Sequence, residues 1–350
     1  MNTKYAFNGF LFTQTRTGVM RFAEELIQEI DKICIEGEFQ LIVPAYTKEV
    51  PRLEKIKVVY YGSTKGNFWE QIDFARYLGK HGLISVNFNN TMPMFRPGVM
   101  AIHDIAYKLH PEFGSSFHGK ISNIYHRMIF KRASKSNYPI ITVSYFTKLQ
   151  LIDFYKIDPG RIHVVGNAWQ HFARIGTDES ILREHNLLGR DYYFSLGSLS
   201  KMKNTRWFID VARKNPGDIF VLAGAKALNS GENFVMPSNV YAVGYVTDEQ
   251  VKALIQKCKA FVYPSIYDGF GIPPLEALSQ GTQVFCSYAA CLPEIYRNCV
   301  HYIDPYDTDI DLEEMLHAPV DNPKEVLDRY SWEKSAAQLY YGLLQGKEME

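Results

Sequence analysis

Two carboxylates stand eight positions apart in the segment YPSIYDGFGIPPLEALSQG, which runs from Tyr263 to Gly281. They are Asp268 and Glu276, and the loop between them contains two glycines and two prolines. Carboxylate oxygens accept hydrogen bonds from neighbouring hydroxyl groups, and glycines let backbone amides approach a ligand closely. A simple G-x-G turn with a capping acid is the structural alternative. The spacing therefore indicates either a turn or a binding site for a hydroxyl-rich ligand.

The surrounding pattern places these carboxylates just beyond the end of a buried strand. AFVYPS predicts the strand, IYDGFGI the loop and PPLEALSQ a short helix, whose prolines suit its first turn because no N–H is needed there. Glu276 then lies in the first turns of that helix, near its positive end. Along most of the chain, short apolar runs alternate with amphipathic stretches of helical length, which is the βαβ rhythm of a parallel sheet.

The rhythm pauses once, in a polar stretch at about residues 170–190, and then resumes. The predicted strands are KYAFNGF, QLIVP, KVVYYG, LISVNF, VMAIHD, PIITVS and IHVVGN before the pause, and YYFSLGS, IFVLAG, VYAVGY, AFVYPS, TQVFCS and VHYIDP after it. We therefore predict an α/β chain of two Rossmann-like, doubly wound domains that face each other across a cleft, at residues 1–170 and 171–330. A terminal helix, residues 331–350, is predicted to cross back to the first domain. Ligands of such sheets bind beyond the carboxyl ends of the strands.

Composition and charge exclude several classes of protein. The 350 residues carry 38 basic and 38 acidic side chains, so no net field attracts a polyanion. Five cysteines without a C-x-x-C pair predict reduced thiols in a cytoplasmic protein. No apolar run approaches the roughly 18 residues of a spanning helix, and the first residues do not resemble a signal peptide. Any membrane contact is therefore expected to be peripheral, at the inner face of the plasma membrane.

The segment DGFGIPPLEALSQGTQV resembles the signature of retaining GT-B glycosyltransferases of the family 4 type, within glycosyl transferases group 1, whose mark is a Glu-x7-Glu pattern. In that family the first acid and the amides after it hold the donor sugar, and the second acid binds the nucleotide ribose. The resemblance implies donor-binding roles for Asp268, Gly269, Phe270, Gly271 and Glu276, and a catalytic role for Asp268. Asp268 replaces the family's first Glu and is shorter by roughly 1.5 Å, so its sugar contact must be rearranged, water-bridged or different.

Three other segments resemble further parts of the family. RTGVMRFAEELI resembles its N-terminal glycine loop, AIHDIAY its His-Asp pair, and SLGSLSKMKNT its phosphate clamp. The resemblance implies donor-binding roles for Gly18, Ser198 and Lys203, and catalytic roles for His103 and Lys203. Ser198 stands where the family often has Arg, and Lys201 is the nearby cation that can substitute. The alternatives are an ordinary helix start, a structural histidine and a solvated basic loop.

A basic stretch with interleaved aromatic residues, such as Tyr125 and Phe130, lies between Phe113 and Ile152, where the sequence has no acidic residue. We interpret it as a face that meets an acceptor or an anionic lipid, and a charged, solvent-facing helix is the alternative. A neutral chain makes nucleic acid an unexpected partner. The predicted acceptor or membrane face includes Lys120, Arg127, Lys131 and Arg132.

The resemblance implies a retaining hexosyltransferase that moves a hexose or deoxyhexose, with mannose or rhamnose favoured, from a nucleotide-sugar donor. It also implies that the domain at residues 1–170 binds the acceptor and that the domain at residues 171–330 binds the donor. The expected acceptor is a lipid-linked oligosaccharide or polysaccharide in cell-surface glycan synthesis. We predict no metal and no other cofactor, since the aspartate-rich stretch DTDID lies late in the chain and Lys203, backbone amides and a helix N-terminus can stabilise a leaving diphosphate. A catalytically idle GT-B partner subunit and a nucleotide-sugar epimerase are the alternatives.

Overall fold

The structure, a computed structural model of the chain, describes residues 4–14, 17–114, 117–197, 201–224 and 236–344, and the side chains of all of these except 113, 114, 117, 118 and 120. The chain divides into two compact units. The first consists of Met1–Asn167 with Trp332–Glu350, and the second of Ala168–Ser331. Each unit contains one parallel sheet with helices, which confirms the predicted α/β fold class.

Seven parallel strands form the sheet of the first unit. They are β1 (Tyr5–Asn8), β2 (Phe39–Val43), β3 (Lys57–Tyr60), β4 (Ile84–Asn87), β5 (Val99–Ala101), β6 (Ile140–Thr142) and β7 (Ile162–Val164). Their spatial order is β3-β2-β1-β4-β5-β6-β7, and Tyr5 of β1 pairs with Phe39 on one side and with Ile84 on the other. The strand order reverses direction between β1 and β4, and the crevice beyond such a switch point is where doubly wound sheets bind ligands.

The α-helices described in the first unit include one near the end of the chain. They are α1 (Gly18–Ile33), α2 (Ala75–His81), α3 (Ala106–Leu109), α4 (Phe117–Ser134), α5 (Tyr145–Tyr155) and α14 (Trp332–Ala337). Thr17 caps α1 by accepting a hydrogen bond from the Met20 N–H. Trp332 packs edge-on against Phe22 of α1, and the Ser335 hydroxyl donates to the Gly166 carbonyl at 2.8 Å. These contacts tie the end of the chain to the first unit.

Six parallel strands form the sheet of the second unit. They are β8 (Tyr193–Leu196), β9 (Phe220–Ala223), β10 (Val240–Gly244), β11 (Ala260–Tyr263), β12 (Val284–Ser287) and β13 (His301–Ile303). The spatial order is β10-β9-β8-β11-β12-β13, so the switch point lies between β8 and β11. The loops that follow β8 and β11 are therefore expected to hold this unit's ligand.

The helices of the second unit cover this sheet. They are α6 (Gln170–Arg174), α7 (Ser180–Glu184), α8 (Thr205–Lys214), α9 (Asp248–Lys257), α10 (Ile272–Ser279), α11 (Leu292–Tyr296), α12 (Leu312–Leu316) and α13 (Lys324–Arg329). The predicted capping box begins α9: Thr247 Oγ1 accepts from the Gln250 N–H, and Gln250 Oε1 accepts from the Thr247 N–H. Such reciprocal bonds satisfy two donors at the helix start that have no partner within the helix.

All thirteen predicted strands are present, because a short apolar run between polar turns suits a strand of a parallel sheet. Two aromatic residues of the predicted basic face pack into the first unit instead of lying on its surface. Phe130 is fully buried, and the Tyr125 hydroxyl lies at 3.4 Å from Glu70 Oε1 inside the first unit. The described part of the chain contains no helix long and apolar enough to cross a membrane.

Candidate active site

Lys203, Tyr263 and Asp268 form one polar cluster at the switch point of the second sheet. Lys203 Nζ lies 2.7 Å from Asp268 Oδ1 and 2.7 Å from the Tyr263 hydroxyl, and that hydroxyl donates to Asp268 Oδ2 at 2.9 Å. The two predicted residues come from the loops after β8 and β11, which neighbouring parallel strands bring to one edge. The structure therefore brings the predicted phosphate-clamp lysine and the first acid into direct contact.

Backbone hydrogen bonds hold the loop that carries Lys203 against the loop after β11. Met202 O accepts hydrogen bonds from the Ile266 N–H at 2.9 Å and the Ser265 hydroxyl at 3.1 Å, both from the loop after β11. Asn204 adopts a left-handed conformation with φ of 52° directly before α8, and its side chain donates to Pro305 O. Lys203 is thus held in place by neighbours on both sides. Ser198, the residue at the family's Arg position, lies outside the described residues.

The cluster combines one cationic, one anionic and one uncharged side chain, and a ligand can reach its cation. Burial first, and then the adjacent Asp268 carboxylate, raise the pKa of Tyr263 well above its ordinary value, so the phenol stays protonated and donates. The Lys203 side chain is 24% exposed and that of Asp268 13% exposed. An incoming anionic ligand can therefore reach Lys203 and compete with Asp268 for it.

The loop after Asp268 turns sharply into α10. Gly271 has φ of +80° and forms the N-cap of α10, a left-handed conformation that favours glycine. Its carbonyl accepts a hydrogen bond from the buried Tyr296 hydroxyl, while Phe270 packs edge-on against Tyr330 at 5.1 Å. Gly269 lies two residues before this turn, and the bond from Tyr296 fixes the backbone at the point where α10 begins.

Glu276 lies in the same helix and is oriented by a histidine that the sequence analysis did not identify. His171 Nε2 lies 2.7 Å from Glu276 Oε1, and the side chains are 2% and 13% exposed. Among the residues that the structure describes, no donor is bound to the second oxygen, Oε2. One oxygen is therefore held by the protein, and the other can accept a hydrogen bond from a ligand.

The predicted residues of the first unit lie at the carboxyl ends of its strands. Gly18 is the first residue of α1, and His103 follows β5 in a buried position. His103 Nε2 is 2.7 Å from Phe88 O, and the His103 N–H donates to Asn90 Oδ1. Burial lowers the pKa of His103 to about 4 against a smaller opposing effect of the Phe88 carbonyl, so its ring is neutral at pH 7.

The basic residues of the predicted acceptor face lie on α4, and two of them bind carbonyl groups. Arg127 Nε donates to Tyr107 O and Arg132 Nε donates to Met94 O, each at 3.0 Å. Lys131 is exposed, and the side chain of Lys120 is outside the described part of the chain. Arg127 therefore also holds α3, and Arg132 holds the segment between β4 and β5, which a purely solvent-facing role would not require.

Two side chains in direct contact with the predicted residues were missed by sequence reasoning, for different reasons. Tyr263 is the last residue of β11 and stands five positions before Asp268, so the tyrosine at the strand end was a visible but unspecific signal. His171 is 105 positions from Glu276, and no local pattern links the two. Long-range contacts of this kind depend on the fold.

Comparison with known proteins finds a family model that matches most of the second unit. Residues 178–330 match the family model described as "Glycosyl transferases group 1". The O-antigen chain mannosyltransferase RfbU of Salmonella typhimurium is 26% identical over 248 residues, and O-antigen chain mannosyltransferase B of Escherichia coli is 27% identical over 263 residues. The alignments cover 69% of this chain and 66% and 68% of those proteins.

Solved structures match nearly the whole chain. Sucrose-phosphate synthase from Thermosynechococcus elongatus superposes with a TM-score of 0.74 at 13% identity, over 99% of this chain and all of that one. WaaG, a glycosyltransferase involved in lipopolysaccharide biosynthesis, gives 0.66 at 14% identity, over 98% of both chains. Anabaena Alr3699/HepE, solved with UDP-glucose, gives 0.64 at 16% identity, over 96% and 95%. The chain therefore has the GT-B fold of these solved structures, and residues 178–330 carry the sequence pattern of glycosyl transferases group 1.

Proposed function

We propose that this protein is a retaining hexosyltransferase that uses a nucleotide-sugar donor, with the diphosphate at Lys203 and the ribose at Glu276. The observation that carries the proposal is the position of these two side chains. They lie in the loop after β8 and the helix after β11, at the switch point of the second sheet. A partly exposed cation and a carboxylate with one uncommitted oxygen are the groups that a nucleoside diphosphate needs.

The proposed chemistry depends on stabilising the leaving group. As the bond between the sugar and the phosphate breaks, negative charge grows on the diphosphate, and Lys203 together with the amides at the start of α10 can offset it. In this proposal the acceptor attacks the face of the sugar from which the diphosphate departs. The departing phosphate oxygen accepts the acceptor's proton, and the configuration at the anomeric carbon is retained. No metal is part of this proposal.

Mannose is the sugar we favour, with an oligosaccharide or polysaccharide acceptor of cell-surface glycan synthesis. The two relatives named above are O-antigen chain mannosyltransferases, and the matched segments extend beyond the family model into the first unit's part of the chain. Rhamnose, which the sequence also favoured, has no support among these names.

A panel of nucleotide-sugars tests the proposal. Unfolding of the full chain is followed with GDP-, UDP-, dTDP- and ADP-sugars, each with and without magnesium. A donor present at 100 times its Kd raises the free energy of unfolding by about 2.7 kcal/mol. We expect one nucleotide class to raise Tm equally with and without magnesium. Stabilisation only with magnesium contradicts metal independence, and no stabilisation by any donor favours the idle partner subunit.

We also propose peripheral contact with anionic lipid through α4. Three aliphatic side chains, Ile121, Ile124 and Met128, are 52%, 60% and 52% exposed, and their spacing of three and four places them on one side of the helix. Arg127 and Lys131 lie on the same helix and supply positive charge. We expect the chain to sediment with vesicles that contain anionic phospholipid and Ile124→Ser to weaken this severalfold. Equal sedimentation of both chains contradicts the contact.

A further inference from the structure

The orientation of the Glu276 carboxylate is set by a buried histidine. His171 Nε2 lies 2.7 Å from Glu276 Oε1, and the His171 side chain is 2% exposed. A carboxylate accepts hydrogen bonds and donates none, so the proton between these two atoms belongs to Nε2. The bond uses one of the roughly four acceptor positions of the carboxylate and fixes its plane. Glu276 is therefore oriented before a ligand binds.

The helix that carries His171 is fixed to a segment near the end of the second unit. Trp169, the residue before α6, donates from Nε1 to Leu327 O at 3.1 Å. Gln170, the first residue of α6, donates from Nε2 to Tyr330 O at 3.0 Å. Because the two side chains before His171 are bonded to the backbone of this segment, the imidazole is a fixed donor and not a mobile one.

The same segment also packs against the loop that leads into α10. The ring of Tyr330 lies edge-on against that of Phe270, with 5.1 Å between the ring centroids. Phe270 directly precedes Gly271, the N-cap of α10, and Glu276 lies in that helix. His171 and Glu276 are thus positioned from one common segment, so their contact does not depend on a bound ligand.

The part of the Glu276 carboxylate that His171 leaves open matches two neighbouring hydroxyl groups. No residue that the structure describes donates to Oε2, and the Glu276 side chain is 13% exposed. The 2′- and 3′-hydroxyls of a ribose lie on adjacent carbons and on the same face, so both can donate to one carboxylate. A 2′-deoxyribose supplies one donor only. It leaves an acceptor position of the bound carboxylate without a partner, which corresponds to a loss of about 10- to 100-fold in affinity.

We infer that His171 is a positioning residue for Glu276, and that this pair selects ribonucleoside diphosphate donors over their 2′-deoxy counterparts. This selectivity rests on the proposed function, because Glu276 is taken there as the ribose contact. A carboxylate that His171 holds cannot turn its unused oxygen toward water, whereas a carboxylate without this donor can. The selectivity therefore depends on His171 as well as on Glu276. Sugars carried by ADP, GDP or UDP are the donor class that fits, and sugars carried by dTDP are not.

Calorimetry on the full chain tests this inference with ADP, GDP and UDP and with the 2′-deoxy form of each. The ribonucleoside diphosphate that binds most tightly is compared with its own 2′-deoxy form, which differs by one hydroxyl group. We expect the wild type to bind the 2′-deoxy form at least about tenfold more weakly. His171→Phe keeps a ring but lacks the N–H, and should reduce this ratio to less than about threefold. His171→Gln, whose amide N–H can donate from a similar position, should restore most of it. His317→Phe changes a histidine that is 80% exposed and is the matched control.

A double-mutant cycle shows whether His171 acts through Glu276. In the Glu276→Ala background, His171→Phe should not change the Kd of either nucleotide, because no carboxylate remains to be oriented. A further loss of nucleotide affinity in that background would give His171 a structural role and would overturn the inference. Inorganic pyrophosphate is measured on the same samples and should bind to His171→Phe as it does to the wild type. Its loss would mean that the substitution disturbs the whole loop, and would overturn the inference as well.

The same titrations separate a failure of this inference from a failure of the proposed function. If the wild type binds a ribonucleoside diphosphate and its 2′-deoxy form equally well, the selectivity is absent while the donor proposal stands. An unchanged ratio in His171→Phe has the same meaning, since Glu276 would then not need its histidine. If the wild type binds none of the nucleoside diphosphates, the proposed function fails and the role of His171 fails with it.

Discussion

Replacing Lys203 by Met is expected to lower the affinity for a nucleoside diphosphate by about 10- to 100-fold, because a hydrogen bond to a charged group contributes about 1.5–3 kcal/mol. Lys203 is the partly exposed cation at the switch point of the second sheet. Calorimetry with the nucleoside diphosphate of the active donor measures the change. Lys214→Met is the matched control, since Lys214 is an exposed lysine at the end of α8. Equal losses in both variants would contradict a specific role of Lys203.

A substitution of Asp268, which binds Lys203, tests the same site in the opposite direction. In the proposed site Asp268 and a bound diphosphate compete for Lys203, so Asp268→Asn should raise the affinity for inorganic pyrophosphate severalfold. The same substitution should lower sugar transfer, because the resemblance gives Asp268 a role at the sugar. Lys203→Met alone leaves the Asp268 carboxylate without its cation, which destabilises the fold. The double variant Lys203→Met/Asp268→Asn removes both charges and keeps the binding test interpretable. Weaker pyrophosphate binding in Asp268→Asn would contradict the competition between carboxylate and phosphate.

Replacing Glu276 by Gln is expected to weaken nucleoside diphosphate binding about 10- to 100-fold and to leave inorganic pyrophosphate binding unchanged. The reason is that a carboxylate accepts from two neighbouring ribose hydroxyls, whereas an amide offers one acceptor oxygen and an NH2 group. His171 already engages Oε1, so only one group of the Gln amide, either its oxygen or its NH2, is left for the ribose hydroxyls. Calorimetry with the nucleotide and with pyrophosphate separates the two parts of the ligand.

Glu314→Gln, an exposed acid on α12, is the control for this substitution. It should bind both ligands as the wild type does. Equal weakening of nucleotide and pyrophosphate binding in Glu276→Gln would mean that the residue supports the loop instead of the ribose. Unchanged binding of both ligands, with normal transfer, would contradict the ribose contact altogether.

The sheets and the segments at their strand ends were predictable because they depend on local pattern. The apolar runs of both sheets are short and bounded by turn residues, so strand identity follows from periodicity and length. The capping box at Thr247 and the prolines at the start of α10 were equally local, and the structure contains both. Elements with a local physical cause are therefore visible in the sequence.

The contacts that define the candidate site were not predictable, because they depend on strand order. His171 and Glu276 are 105 positions apart, and Lys203 and Asp268 are 65 positions apart. Only the pairing of β11 with β8 brings the last two together.

Hydrogen–deuterium exchange of the full chain with and without the donor's nucleoside diphosphate tests the central claim most directly. The account predicts slower exchange in peptides that cover residues 201–204 and 267–276, since the ligand would occupy the loop after β8 and the start of α10. Peptides from the edge strand β3 of the first sheet should be unchanged and serve as the internal reference. Protection confined to other parts of the chain, with both of these segments unaffected under saturating ligand, would contradict the assignment of the donor site.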